Sequence, residues 1–366
     1  MPTSLPDGLV SAQYEAQDIA PAPSMPLTLL VLLVLASAGW LMSRLLADTP
    51  PTPLVRDTLL TACALLLFIA LLLATVMLGR PSSRRPLCLL LLAAAAASML
   101  WWKQQETSQE ADWSPMVSEL AYADLDGNWL TVHHIHNFDY RTENDYTPLY
   151  YDQRFDLSQL KRVDWGFSFW GDPDVAHVFL SFVFGDDQAL SLSLVPRLRP
   201  WQTYSIRAGL LRQYPIYALA ASERDHIRLR TSFRLYPQEQ VYLYQARMST
   251  LHQRSLLLAL LNALNALHDS PDFYNAISNN GTSKLWQLNA GIDPLHYPWN
   301  WAVLFSGHLP QYLYAQGLLE TDGLSFEQLR LRAHINMRSL AAHSALDYSR
   351  RIRETWPLAY YRKQAP

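Results

Sequence analysis

Cysteine is almost missing from this chain, and where it occurs it can do little chemistry. Among 366 residues only Cys63 and Cys88 are cysteine, and both lie inside long apolar runs. They read as small hydrophobes, not as a disulfide framework or a metal site. No thiol nucleophile is available after Cys88. Lys and Arg are absent from residues 1–25, so the start has no basic region of the signal-peptide kind. Its four prolines and polar residues predict a disordered tail. A Gly-rich phosphate loop, His-Glu-x-x-His and Gly-x-Ser-x-Gly are all missing, as is any internal repeat. The net charge of −3 leaves no basic surplus for nucleic acid. No cofactor and no resident metal is expected.

Apolar residues are plentiful instead, and they are unevenly spread. Leu and Ala crowd the first hundred residues, while aromatics concentrate after Trp101. Pro26–Ala47 is uncharged but for Arg44, Thr58–Gly79 is fully uncharged, and Leu87–Trp102 is a third, shorter run. A helix needs roughly 20 apolar residues to cross the hydrocarbon core. The runs predict three spans, with Trp101 and Trp102 as an interfacial belt. The loop Arg80–Arg85 carries three arginines and no acid, which places it in the cytoplasm. Residues 1–25 are then a cytoplasmic tail, 26–102 a transmembrane region, and 103–366 an outer domain, periplasmic in a bacterium.

The outer part reads as α+β, strands first and helices later. Asp126-Gly127 is a hairpin signal between Met116–Asp124 and Trp129–His136. Val178–Phe184, Ala189–Leu194 and Val241–Gln245 predict strands, and so does the alternation of Ile227, Leu229, Thr231 and Phe233 with polar residues. Thr250–Leu267 predicts a buried helix. Ser270-Pro271 looks like a helix start, and Phe326–Ala342 and Ser344–Glu354 read as amphipathic helices.

Several groupings carry chemistry. His133, His134 and His136 are the densest histidine cluster; on a regular strand His134 and His136 would share a face, as metal ligands or as an edge-strand polar face. Asp124–Asn128 has half the spacing of a calcium loop but no closing Glu, which favours a plain turn. Arg228, Arg230 and Arg234 would form a basic strand face able to hold an anionic group or simply to be solvated. His177 opens an apolar strand, where it needs a partner to offset desolvation. Asn279-Asn280-Gly281-Thr282-Ser283 suits a turn.

From about Asp112 the chain resembles the Lnb N-terminal periplasmic domain family of bacteria. The resemblance rests on His136–Arg141, Ala176–Phe182, Glu223–Arg230, Val241–Tyr244, Asp272–Thr282 and Asp347–Arg353. It implies a permuted papain-like (NlpC-type) fold and an acyltransferase or hydrolase chemistry acting on lipoproteins. It further implies His177 as base and position 281, between Asn280 and Thr282, as nucleophile at a helix start. This chain departs from the family at Gly281, where a cysteine is expected. It departs again at Val195, where the family tends to have Glu, and at His136, where it has Arg. The resulting expectation is an inner-membrane-anchored, catalytically degenerate domain that binds membrane lipid, a lipoprotein, an acyl chain or a partner membrane protein. The alternative is an active enzyme using Thr282 or Ser283 with His177, although a hydroxyl lacks the ready activation of a thiolate.

Overall fold

The computed structural model describes residues 110–185 and 187–364, with single positions at 39, 40, 89, 93, 96, 100 and 107. The chain divides into two units, one of which holds residues 106–366. Among the described residues no helix is long and apolar enough to cross a membrane. The runs 26–47, 58–79 and 87–102, and the tail before them, lie outside the described residues apart from those single positions.

Ten strands are described: β1 Tyr122–Asp126, β2 Trp129–His136, β3 Asp139–Tyr140, β4 Tyr146–Thr147, β5 Tyr150–Asp156, β6 Leu160–Phe169, β7 His177–Phe184, β8 Gln188–Pro196, β9 Ile216–Ser222 and β10 Gln240–Gln245. The helices are α1 Ile206–Leu210, α2 Glu223–Arg228, α3 Thr250–Asp269, α4 Gly281–Ile292, α5 Leu309–Ala315, α6 Phe326–Ala333, α7 Asn336–Ala341, α8 Tyr348–Arg351 and α9 Leu358–Gln364. The main sheet runs β1-β2-β9-β8-β7-β6-β10, with β5 paired to β2, and β3 and β4 form a separate ribbon. The fold is α+β, as expected.

The sheet is covered on both faces. Val178, Leu180, Phe182 and Phe184 of β7 join the larger core with Leu256, Leu260 and Leu264 of α3 and Leu285 and Trp286 of α4. Phe179, between them, belongs to a second core with Ile227, Val241, Ile335, Tyr348 and Ile352. A strand buried on both faces reads as a continuous apolar run rather than an alternating one, which is why β7 was recognisable.

Three expectations need correction. Ile227–Arg234 is not a strand: α2 ends at Arg228 and passes directly into one π-helical turn, Leu229–Phe233. Ser270 starts no helix; its N–H caps the end of α3 by donating to the Ala266 carbonyl. Of Ser344–Glu354 only Tyr348–Arg351 is helical, and Phe326–Ala342 is two helices broken at His334-Ile335. The β1–β2 hairpin does form, with Asp126 opposite Trp129 and Gly127 at φ +60°.

Candidate functional site

The site grows from the ends of β7 and β8 and from the helix that follows β9. Ser222 ends β9 and caps α2, its hydroxyl accepting from the Asp225 N–H. That cap places Asp225 and His226 in the first turn, over the sheet. His226 Nε2 lies 3.2 Å from His177 Nε2, so one imidazole donates and the other accepts. His226 Nδ1 lies 2.6 Å from Ser191 Oγ on β8, and Ser193 Oγ lies 3.3 Å from His177 Nε2. Burial first, then the positive charge of Arg230 and Arg234, holds both histidines well below the usual range. The pair is neutral at neutral pH.

Asp225 points elsewhere. Its carboxylate accepts from the Phe138 N–H at 2.5 Å and the Tyr140 hydroxyl at 3.2 Å. Burial pushes its pKa up to about 6, against these two hydrogen bonds. The π-helical turn brings Arg230 and Arg234 to one side, where both meet Glu239. Arg234 donates to it at 2.8 Å, the Ser168 hydroxyl donates to it, and Arg230 Nε approaches to 3.6 Å. Arg228 does not join them: it reaches the His343 carbonyl and covers the Phe233 ring. The expected three-arginine face is therefore a buried Arg230 and a half-buried Arg234, both paired with Glu239, and a buried Arg228 on another side.

These groups border a cavity of about 420 Å³. Its polar wall is His136, His177, Asp225, His226, Arg230 and Glu239, and its apolar wall includes Val117, Trp170, Val195, Leu198 and Leu219. His136 is on that wall because a bulge in β2 interrupts the pairing between Val132 and Ile135, with His134 at φ +56°. His136 turns inward to bond the Tyr217 hydroxyl at 2.8 Å, while His133 and His134 engage Asp152 outside. The predicted shared face of His134 and His136 does not exist. Among the described residues no cluster of three or more histidine, cysteine or acidic side chains could hold a metal ion.

The Asn-Asn-Gly turn sits beside this cavity. Asn280 caps α4 through a reciprocal pair: its side chain accepts from the Ser283 N–H, and the Ser283 hydroxyl accepts from the Asn280 N–H, each at 2.9 Å. The Ser283 hydroxyl is thus part of the cap. Gly281 is the first helical residue, laid on the backbone of β7 and β8. A Cβ placed there would stand 2.7 Å from the Leu194 carbonyl oxygen and 3.6 Å from that of Val178. Asn280, Gly281 and Thr282 share a small pocket of about 110 Å³ with His177 and Val195. No hydrogen bond joins His177 to this turn among the described residues; its Nε2 is engaged with His226 and Ser193. Positions 136, 195 and 281 fall around these two adjoining cavities.

Asp225, His226, Glu239 and Tyr140 are site residues that the sequence reading missed. The signal for two of them was present: Ser222-x-x-Asp225 is a cap spacing, which would have started a helix where period two suggested a strand.

Burial of the histidines sets the acid stability. His136 is lowered to about 3 by burial alone. Below pH 6.5 the unfolded histidines take protons that the folded His136, His177 and His226 refuse, so stability falls with falling pH. Asp225 opposes this. Between 3.8 and about 6 its folded carboxyl keeps a proton that the unfolded one has lost, so its share of stability falls as pH rises. Three groups outweigh one. Urea midpoints are expected to drop from pH 7 to 5, and His136→Phe is expected to flatten the slope by up to about 1.4 kcal/mol per pH unit. An unchanged slope in that variant would contradict the burial of His136.

Residues 146–307 match the family model described as the Lnb N-terminal periplasmic domain. The matched stretch holds His177, Val195, Asp225, His226, Arg230, Glu239 and the Asn280–Ser283 turn, but not His136–Arg141 or Asp347–Arg353. No curated protein and no solved structure matches the chain. Over residues 146–307, this chain is similar to the Lnb N-terminal periplasmic domain family.

Proposed function

We propose that this periplasmic Lnb-type domain is catalytically degenerate and binds a lipid-bearing ligand, a lipoprotein or its acyl chain, in the cavity without turning it over. The observation that carries this reading is the contact at Gly281. The position where the family resemblance asks for a nucleophile has no side chain, and the Leu194 carbonyl occupies the space a Cβ needs. His177, the inherited base on this reading, hydrogen-bonds His226 instead. A strand-borne histidine and a helix N-terminus meeting at one pocket support a permuted papain-like frame from which the reactive atom has gone. The apolar wall suits an acyl chain, and the buried polar wall would orient its carbonyl or head group.

One observation keeps an active alternative in play: Thr282 lines the same small pocket as His177. The Ser283 hydroxyl is engaged in the cap, which counts against it as the nucleophile. Purified full-length chain should bind a fluorescent acyl phospholipid but transfer no acyl group to a lipoprotein acceptor. Filling the cavity with Leu219→Trp should weaken that binding about tenfold or more, a change of ~1.4 kcal/mol. Acyl transfer that disappears in both His177→Ala and Thr282→Val would overturn the degenerate reading.

Anchoring belongs to the same proposal. The apolar runs before Trp102 are taken as three spans, with the tail cytoplasmic and 103–366 periplasmic. Reporter fusions after Ser82 and after Gln105 should report cytoplasm and periplasm respectively, and the reverse result would refute the orientation.

A further inference from the structure

We infer that the rim of the cavity is a docking surface for an anionic phospholipid bilayer, so that the cavity opens onto the membrane rather than into bulk solvent. The inference takes the runs before Trp102 as spans and holds whether or not the site turns over its ligand.

Exposed apolar side chains gather at the two cavity mouths. Trp170 and Tyr204 line both cavities, Tyr236 the larger and Leu304 the smaller, and all four are exposed. Tyr236 is 96 % exposed and Trp299, near Leu304 in sequence, 78 %. Contacts between neighbouring segments tie the pieces into one surface. The Tyr204 and Tyr274 rings are 6.0 Å apart, Gly209 of α1 accepts from the Ala276 N–H, and Ala276 and Leu304 line the same pocket. Trp301 packs on Phe305, both about half exposed, and Pro237 adjoins Gly171. Contiguous exposed aromatic and aliphatic side chains of this kind mark an interaction surface rather than ordinary solvent-facing scatter. Trp and Tyr are also the residues that settle at a bilayer interface, with ring in the acyl boundary and polar edge at the head groups.

Charge selects the occupant. The segment 197–212, which holds Tyr204 and α1, has no acidic residue and four arginines: Arg207 is exposed, Arg199 and Arg212 are half-buried, and Arg197 is buried on the Val117 and Ser118 carbonyls. Within it Tyr204, Ile206 and Leu210 are exposed beside the exposed Arg207. Basic and apolar side chains mixed on one short surface segment match an anionic lipid interface, where each basic residue contributes on the order of 1 kcal/mol. The chain also has the reach. The third apolar run ends at Trp102, and twelve residues later Ser114 lines the larger cavity. Twelve extended residues span at most about 40 Å, so a domain anchored by that run works beside its membrane.

The test uses full-length chain in nanodiscs, in a Cys63→Ala, Cys88→Ala background, with an environment-sensitive fluorophore on a single introduced cysteine. Ile206→Cys and Leu304→Cys report the rim, and Leu89→Cys, in the third apolar run, reports insertion. Leu125→Cys is the control, since it pairs with Leu130 near the hairpin end of β2, away from His136 at the cavity end. In discs containing phosphatidylglycerol and spin-labelled lipid, the two rim labels should be quenched at least about twofold more than the label at 125. Arg207→Glu should reduce the quenching at 206. Rim labels as unquenched as 125 overturn the inference, whether or not the label at 89 is quenched. Equal rim quenching in neutral and anionic discs overturns its anionic part. A rim shielded from water-soluble quencher in native membranes but not quenched by lipid would identify a protein partner and overturn it too. A quenched rim with no acyl-probe binding would sink the ligand reading alone.

Discussion

Arg353→Met is expected to destabilise the domain by about 3–5 kcal/mol, because it removes the cation shared by two buried carboxylates. Arg353 donates from Nε to Asp164 at 2.8 Å and from Nη1 to Glu223 at 2.8 Å, and it also donates from Nη2 to Glu223. Asp164 is fully buried on β6 and Glu223 nearly so at the start of α2. Burial alone would raise the Asp164 carboxyl, yet Arg353 and Arg162 hold it below the ordinary value. Without Arg353, Asp164 retains Arg162 and Glu223 retains the Ser181 hydroxyl. A domain of this size loses roughly 2–4 °C of Tm per kcal/mol, so a fall of about 10 °C should be visible by circular dichroism. The loss reaches the site, because Glu223 opens the helix that carries Asp225 and His226. Replacing all three groups together, Asp164→Leu with Glu223→Leu and Arg353→Met, should cost less than Arg353→Met alone, as no unpaired charge is then buried. A single variant as stable as wild type would mean that the network is not buried as described. Arg353 lies beyond the matched stretch 146–307, so the C-terminal segment is part of what holds the family frame in place.

That network also explains what could be read from the sequence and what could not. The β1–β2 hairpin, β7, β8, β10 and α3 were legible because turn chemistry or apolar pattern was local and unambiguous. The segment from α2 into the π-helical turn was misread for a physical reason. Pattern reading treats charged residues as exposed, yet Arg230, Asp225 and Glu223 are buried and paired. The alternation of Arg228 and Arg230 with Ile227 and Leu229 marked two buried sides of a helix, not the two faces of a strand. The bulge at His134 had no glycine or asparagine to announce it. Ser270-Pro271 carried a real start signal, but Ser270 closes α3 instead, and the cap of the next helix came at Asn280.

The meeting of His177 with the Asn280–Thr282 turn was legible only through resemblance. Nothing in composition or period links positions a hundred residues apart. His226 as the partner of His177 was not legible at all, since it depends on α2 lying across the ends of β7 and β8. The tight seat of Gly281 was equally hidden. A sequence shows that position 281 has no side chain but not that the Leu194 carbonyl lies where a Cβ would stand.

Gly281→Cys is therefore expected to lower stability by about 1–3 kcal/mol and to remain chemically inert. The electrostatics of the position are right for a thiolate: it begins a capped helix of twelve residues, where the dipole and free N–H groups favour negative charge. The space is wrong. The Cβ would lie 2.7 Å from the Leu194 carbonyl, a backbone atom held in the β8–β9 ladder, so the helix or the strand must shift to admit it. Gly281→Ala should lose nearly as much, which assigns the cost to the Cβ and not to sulfur. Gly291→Ala, in the same helix with nothing within 4 Å of its Cβ position, should be neutral or gain about 0.4–1 kcal/mol. Thermal melts of the three variants, made without Cys63 and Cys88, would check the order. Mass spectrometry after incubation with an acyl phospholipid would check for a thioester. If Gly281→Cys melts with wild type and carries an acyl group, position 281 has room for a nucleophile, and the Leu194 carbonyl does not exclude one. If it melts low and stays unmodified while Gly291→Ala holds, α4 lies too close to β8 for a side chain at 281, and a reactive cysteine there would need the helix to move.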